Sequence, residues 1–206
     1  EPWSSTNGDF AVDLKLDDVQ VDSVGGITTE FRGDVTGQVT AFFESGENAP
    51  NEVTENLADG LVTTKWLDFA DASFVTYDFG SGNAKTIKRY RLTSANDSPE
   101  RDPMDWTLEG SNNNVDFTVL DTRQNIAFAN RYETQEFNVT TPGSYRYYKL
   151  NISSNRGPTT AASTQLAEFR LSTHSVWEDV TTYVQEEQKI RITRGFQGAS
   201  GRHDFS

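Results

Sequence analysis

The feature that most constrains the fold is a series of short segments in which apolar and polar residues alternate. Clusters of Gly, Asn, Asp, Ser and Pro interrupt these segments roughly every 8–15 residues, and a helical period is almost absent. We predict strands at residues 75–79, 86–93, 105–109, 132–139, 145–152 and 166–171. A short helical turn is expected at residues 52–58. This spacing is typical of an all-β antiparallel sandwich.

Composition excludes several classes of function. The 206 residues carry a net charge of −13, and residues 1–60 hold 13 acidic side chains against Lys15 and Arg32. An acidic surface repels phosphate, so we expect neither nucleic acid nor anionic membrane as a partner, and no apolar run is long enough for membrane insertion. Without cysteine the chain has no disulfide or thiolate metal site. Because it does not begin with Met, we interpret it as a processed or excised piece.

Residues 1–38 precede the most regular part of the pattern. Phe10, Val12, Leu14 and Leu16 alternate with polar or small residues, which predicts a half-buried strand. Residues 19–21 resume the alternation, and residues 28–39 are expected to be extended. This region is either an extra pair of strands or an arm that packs on a neighbour.

An oxygen-rich turn stands at residues 55–66. Gly60 allows a bend after Asp59, and Thr63, Thr64 and a large aromatic, Trp66, follow within six residues. A carboxylate, hydroxyls and inward carbonyls suit a hard cation such as calcium. The alternative is an ordinary hairpin turn with a buried Trp.

Fragments spread over residues 39–173 resemble the discoidin, or coagulation-factor C-type, domain, whose fold several carbohydrate-binding module families share. The fragments lie at residues 56–66, 75–80, 90–96, 101–111, 147–150 and 165–171. The resemblance implies an eight-stranded antiparallel jelly-roll β-sandwich of the galactose-binding-domain-like type, with flanking β segments. The expected core residues are Trp66, Phe79, Leu92, Leu108, Phe117, Tyr148 and Leu150.

The resemblance also implies a structural calcium ion, because calcium-bearing relatives complete the oxygen-rich loop with a carboxylate on the last strand. The matching ligands in this sequence are Asp59, Thr64, Glu168 and the carbonyl oxygen of Ala167. Glu168 would otherwise be a costly half-buried charge unless it paired with Arg170 or Lys65.

Sugar-binding relatives use loops at one end of the sandwich, and the corresponding loop here is residues 95–105. The predicted glycan-binding residues are Asn96, Asp97, Arg101 and Asp102. The His/Glu pair of some galactose-binding relatives is absent from residues 67–72. Residues 101–103 could equally form a structural salt-bridged turn. Trp106 is expected in the core rather than in a sugar platform.

Catalysis is not expected. The two histidines, His174 and His203, lie outside the predicted sandwich, and no nucleophile elbow or phosphate loop is present. Adjacent acids such as Asp17 and Asp18 point to opposite faces of a strand, which does not suit a glycosidase pair.

Residues 174–206 contain two fragments, 174–184 and 189–195, that resemble the opening of β-rich tail proteins of long-tailed bacteriophages. The region would be the start of a following β-rich tail-type domain or a docking extension. The alternative is a plain pair of strands that closes the sandwich.

These observations predict a non-enzymatic carbohydrate-binding or attachment module of a phage tail or similar surface assembly. Its partners would be a host glycan or cell-surface polysaccharide, or neighbouring subunits, and its location the virion tail or the extracellular space. The alternative is an accessory carbohydrate-binding module of a secreted bacterial glycoside hydrolase or protease.

Overall fold

The computed structural model describes residues 31–157 and 162–175 in full. Outside these ranges it describes only the backbone of six short strands. The chain divides into two compact units, one formed by Glu1–Asp17 with Trp177–Ser206 and the other by Asp18–Val176. In the first unit β1 (Lys15–Leu16) pairs antiparallel with a strand at Glu178–Asp179, and a second short pair joins Thr193–Arg194 to His203–Asp204. Of the two fragments that resemble phage tail proteins, residues 174–184 and 189–195, only residues 174–175, 178–179 and 193–194 are described.

The second unit contains the strands β2 to β15. They are β2 (Val19–Val21), β3 (Ile27–Thr29), β4 (Ala41–Glu44), β5 (Trp66–Asp68), β6 (Ser73–Asp78), β7 (Lys85–Thr86), β8 (Arg89–Thr93), β9 (Pro103–Ser111), β10 (Thr118–Arg123), β11 (Thr134–Asn138), β12 (Ser144–Tyr145), β13 (Tyr147–Asn155), β14 (Thr164–Leu166) and β15 (Glu168–Ser172). Short 3-10 helices span Thr36–Gln38, Thr54–Ala58 and Pro99–Arg101.

Two sheets form the sandwich. One has five strands in the order β10-β9-β13-β6-β4, and the other has three in the order β11-β8-β15. Every strand pair within these sheets is antiparallel. The predicted eight-stranded antiparallel sandwich is therefore confirmed. Two shorter pairs, β5 with β14 and β7 with β12, flank it.

The core lies between the two sheets. Tyr77 of the five-stranded sheet donates its hydroxyl hydrogen to the carbonyl of Phe169 in the three-stranded sheet, 2.9 Å away. Trp106 is buried and donates to the Tyr90 hydroxyl at 2.9 Å, as expected for a core residue rather than a sugar platform. These hydrogen bonds satisfy the polar ends of large rings that would be costly to bury unpaired.

Most of the predicted core residues are buried. They are Trp66, Phe79, Leu92, Leu108, Tyr148 and Leu150. The prediction for Phe117 was wrong, because this residue precedes β10 and stays partly exposed. Its ring lies 4.0 Å from the Nζ atom of Lys149, so it packs on an outer surface of the sandwich.

Two predicted extended segments are interrupted. Residues 86–93 divide at Lys88 into β7 and β8, which belong to different sheets. The buried Arg89 explains the imperfect alternation there, since Glu136 accepts a hydrogen bond from its Nη1 at 3.0 Å. Within residues 28–39, Thr36–Gln38 is a 3-10 helix rather than extended chain. The Leu171 N–H bonds the Thr36 hydroxyl at 2.8 Å, which attaches this segment to β15.

The strand register brings several loops to one end of the sandwich. Thr93 at the end of β8 pairs with both Thr134 and Glu168, and Asn155 at the end of β13 pairs with Pro103. The loops that follow β5, β8, β10 and β13 therefore share this end. No helix in the described part of the chain is long and apolar enough to cross a membrane.

Candidate functional site

The loop between β8 and β9 is held at its base by Asp102. This residue is 1% exposed, and its carboxylate receives hydrogen bonds from both terminal nitrogens of Arg131, one of them at 2.9 Å. Burial raises the pKa of Asp102 above its ordinary value, and the hydrogen bonds from Arg131 oppose the rise. A bidentate pair of this kind fixes the orientation of both groups.

The tip of the same loop is fixed at Asp97. Its carboxylate accepts a hydrogen bond from Lys65 Nζ at 2.8 Å, and its carbonyl accepts one from the Gln165 amide at 2.7 Å. Burial works to raise the pKa of Asp97, but the Lys65 and Gln165 contacts hold it below its usual value. Ser98 adopts a left-handed φ of 43° before Pro99, whose fixed φ suits the first position of the 3-10 helix. The loop is thus fixed to the sandwich at both its base and its tip.

Two of the four predicted glycan-binding residues take no part in these contacts. Asn96 is exposed and Arg101 partly exposed, and neither side chain makes a hydrogen bond or ion pair with any described residue. Asp97 and Asp102 are instead engaged by Lys65 and Arg131. The alternative of a salt-bridged turn at residues 101–103 is therefore half correct, because Asp102 is paired but its partner is Arg131.

Three further residues at this end were missed by the sequence analysis. Phe69 follows β5 and is 66% exposed, and Tyr132 is 46% exposed. The Tyr132 N–H donates to the carbonyl of Ala95 at 3.4 Å, which places the backbone of Tyr132 beside the residue that precedes Asn96. Arg156, just after β13, is also exposed. A sequence does not distinguish an aromatic residue on a loop tip from one that turns into the core.

The predicted calcium loop is closed by its own side chains. One oxygen of Asp59 accepts a hydrogen bond from the Leu61 N–H at 2.7 Å, and the other accepts one from the Thr64 hydroxyl at 2.7 Å. Gly60 has a φ of +78°, a conformation that glycine adopts without steric cost. The loop therefore brings together the carboxylate of Asp59 and the hydroxyl of Thr64, two of the four proposed ligands.

Glu168 on β15 is the most unusual group near this loop. It is 2% exposed, and neither carboxylate oxygen has a hydrogen-bond partner among the described residues. Burial raises its pKa to about 7; Arg170 and the nearby Gly60 N–H oppose the rise, and the Asp59 carboxylate, which lies close to Glu168, adds to it. Glu168 also lines a cavity of about 530 Å³, together with Gly60 and Val62 of the loop and with the side chains of Arg32, Arg91 and Arg170.

The two cations that could have paired with Glu168 bind elsewhere. Arg170 forms an ion pair with Asp34, and Lys65 forms one with Asp97. Ala167, the neighbouring predicted ligand, is buried and donates its N–H to the carbonyl of Thr93 at 2.9 Å. The described residues contain no group of three or more His, Cys, Asp or Glu side chains that could hold a metal ion. A cation here would rest on two carboxylates with hydroxyl and carbonyl oxygens.

Comparisons with known proteins agree with this architecture. Residues 38–169 match the family model of the F5/8 type C domain. The chain is 36% identical over 102 residues to the peptide-N(4)-(N-acetyl-beta-glucosaminyl)asparagine amidase of Arabidopsis thaliana. That match covers 48% of this chain but spans only 14% of the amidase.

Solved structures show the same fold at low identity. The family 32 carbohydrate-binding module of Clostridium perfringens NanJ, in complex with galactose, has a TM-score of 0.54 at 13% identity, covering 68% of this chain and 97% of that one. A family 32 carbohydrate-binding module from a family 31 glycoside hydrolase of Clostridium perfringens has a TM-score of 0.57 at 18% identity. The match covers 68% of this chain and 94% of that one.

Proposed function

We propose that this chain, which belongs to the F5/8 type C domain family, is a carbohydrate-binding module of a larger protein and is not itself an enzyme. The proposal rests on one observation. At the end of the sandwich where Lys65 and Arg131 hold the β8–β9 loop in place, several exposed side chains make no contact that the fold requires. Asn96 and Arg101 offer donors, and Phe69 and Tyr132 offer exposed rings. Aromatic faces pack on the apolar face of a sugar ring while polar groups bind its hydroxyls.

Within this site we assign two roles. Asn96 and Arg101 contact the glycan, because their side chains are not used by the fold. Asp97 and Asp102 position the loop, since their carboxylates are held by Lys65 and by Arg131. This division separates binding from folding, so it can be tested by mutation.

The experiment is a pair of measurements on Arg101→Ala. We expect glycan binding, measured on an oligosaccharide array and by calorimetry, to weaken about tenfold, as for loss of a charge-assisted hydrogen bond. The melting temperature should stay nearly unchanged, because Arg101 is not part of the core. A fall of several degrees with binding intact would show that Arg101 is structural.

For the biological context we favour an accessory module of a secreted bacterial glycoside hydrolase or similar enzyme. One structurally similar domain belongs to a family 31 glycoside hydrolase, and the curated relative is a glycan-processing amidase. Attachment within a phage tail and docking to neighbouring subunits are the second candidate, favoured by the fragments in residues 174–206. A hydrolase domain encoded downstream in the parent gene would support the first context, and neighbouring tail genes the second.

We also propose that calcium binds between residues 57–64 and 167–168. The two oxygens of Glu168 support this fit, because a buried carboxylate without a partner is costly unless a cation compensates it. Asp59, Thr64 and the carbonyl of Ala167 would complete an all-oxygen set, which suits calcium. The role would be structural, joining segments more than 100 positions apart in the sequence. Calorimetric melting of chelator-treated protein with and without added calcium tests it.

A further inference from the structure

We infer that the loop end of the sandwich selects glycans that contain uronic acids, with Arg101 and Arg156 as the residues that recognise the sugar carboxylate. The inference rests on the proposed carbohydrate-binding function and names the class of sugar. It comes from two guanidinium groups that flank one loop and that the described structure leaves unpaired.

Arg156 is placed beside the loop by its own backbone. Its N–H donates to the carbonyl of Asp102 at 2.9 Å, at the point where β13 ends. The preceding residue, Asn155, is buried and donates its side-chain amide to the carbonyl of Ser163 at 2.8 Å, which fixes this end of the strand. The Arg156 side chain is exposed and makes no ion pair with a described residue. Residues 158–161, which follow, contain no charged side chain.

Two carboxylates near these arginines are already neutralised. Asp97 is paired with Lys65 and Asp102 with Arg131. Burial is the largest influence on both acids; Arg101 helps to lower the pKa of Asp97, and Arg156 counters the rise in the pKa of Asp102. Both guanidinium groups therefore lie close enough to the loop to influence its carboxylates, yet neither forms an ion pair with them.

Arg101 and Arg156 are the cations at the loop that make no ion pair with a described residue. Glu100 is the one carboxylate of residues 95–102 without a salt bridge, against the two unpaired guanidinium groups of Arg101 and Arg156. A sugar carboxylate can accept two parallel hydrogen bonds from a guanidinium group, whereas a neutral hydroxyl offers a weaker, single contact.

The test compares ligands that differ only in charge. The whole chain is titrated in low-salt buffer with oligomers of galacturonate, mannuronate and glucuronate, with their methyl esters and with the corresponding neutral hexose oligomers. We expect at least one free acid to bind about tenfold or more tightly than its ester, because the ester removes a charge-assisted contact. High salt should reduce this preference, since the arginines are exposed.

Matched variants locate the effect. Arg101→Gln and Arg156→Gln should each lower the affinity for the preferred acid several-fold and leave affinity for its ester nearly unchanged. Lys88→Gln is the control, because Lys88 is exposed at the opposite end of the three-stranded sheet and its loss removes the same charge. If Lys88→Gln lowered the affinity for the acid equally, the preference would come from the net charge of the chain rather than from this site, and the inference would be overturned.

The remaining outcomes separate the inference from the proposed function. Equal affinity for acids and esters, or binding confined to neutral oligomers, overturns the uronic-acid inference while carbohydrate binding stands. Tighter binding of a sulfated galactan than of any uronate also overturns it, because the site would then prefer another anion. Absence of binding to every oligomer of the panel would contradict carbohydrate binding itself.

Discussion

Two buried carboxylates at the same end of the sandwich are treated in opposite ways. Asp102 is 1% exposed and is held by both terminal nitrogens of Arg131. Glu168 is 2% exposed, and its oxygens have no hydrogen-bond partner in the part of the chain that the structure describes. A buried charge is tolerated when it is paired and hydrogen-bonded, and it is costly otherwise. The fold therefore neutralises Asp102 with its own arginine and gives Glu168 no ion pair among the described residues.

The difference separates a structural acid from a candidate ligand. The charge of Asp102 is used to fix the loop through Arg131. The side chains of this loop that remain available to bind a ligand are those of Asn96 and Arg101. Glu168 faces the loop at residues 57–64 and lines a cavity of about 530 Å³. We interpret an unpaired buried carboxylate beside further oxygen atoms as a site that needs a cation from outside the chain.

The largest expected effect on stability comes from breaking the ion pair between Asp102 and Arg131. Asp102→Asn should lower the free energy of unfolding by about 3 kcal/mol, because it leaves the Arg131 charge without its buried partner. Urea denaturation measures this change, which should be the same with calcium and with chelator. Arg101→Gln serves as the control on the same loop and should leave stability unchanged. A loss below about 1 kcal/mol would place Asp102 among ordinary surface ion pairs.

The contrast between the two sites also shows what the sequence can predict. Alternating residues identified the strands and most of the core, since a period of two places every second side chain inside. The pairing of Asp102 could not be predicted in the same way, because Arg131 is 29 residues away and the intervening chain must fold first. The unpaired state of Glu168 depends in turn on where Arg170 and Lys65 find their partners.

Exposure on loops was the second limit. Phe117 was predicted inside and is partly exposed, and Tyr132, which was placed in the predicted strand 132–139, is exposed on the loop before β11; Phe69 is exposed on a loop that the pattern did not mark as a binding site. All three lie outside regular strands, so no alternation assigns their side chains to a face. Arg156 joins the loop end through β13, whose final register includes a shift between Ser154 and Asn155. Such local irregularities are not visible in the sequence.

The next largest effect concerns the binding of calcium at the proposed site beside Glu168. A cation that binds only the folded state adds about 2.7 kcal/mol of stability at one hundred times its Kd. Millimolar calcium should therefore raise the melting temperature of chelator-treated protein by several degrees, and magnesium should do less, because it demands a tight octahedral shell. Asp59→Ala and Glu168→Gln should each abolish the shift.

The double variant provides the internal control for this prediction. Since both residues would act through one ion, combining Asp59→Ala with Glu168→Gln should add little to either single change. Thermal melting of the four proteins with and without calcium measures the coupling. Fully additive losses, or a calcium shift that survives Glu168→Gln, would show that the ion binds elsewhere or has no structural role.

The smallest expected effect is the one that most directly distinguishes the two acids. In chelator, at mildly alkaline pH where Glu168 is ionised because its pKa is about 7, Glu168→Gln should be neutral or stabilising by up to about 1 kcal/mol. The change removes a buried charge that has no ion pair and breaks no hydrogen bond of regular geometry between described residues. Asp102→Asn under the same conditions removes an equally buried carboxylate and should destabilise. Urea denaturation of both variants in one buffer measures the contrast, and a comparable loss in Glu168→Gln would mean that the fold itself already compensates Glu168.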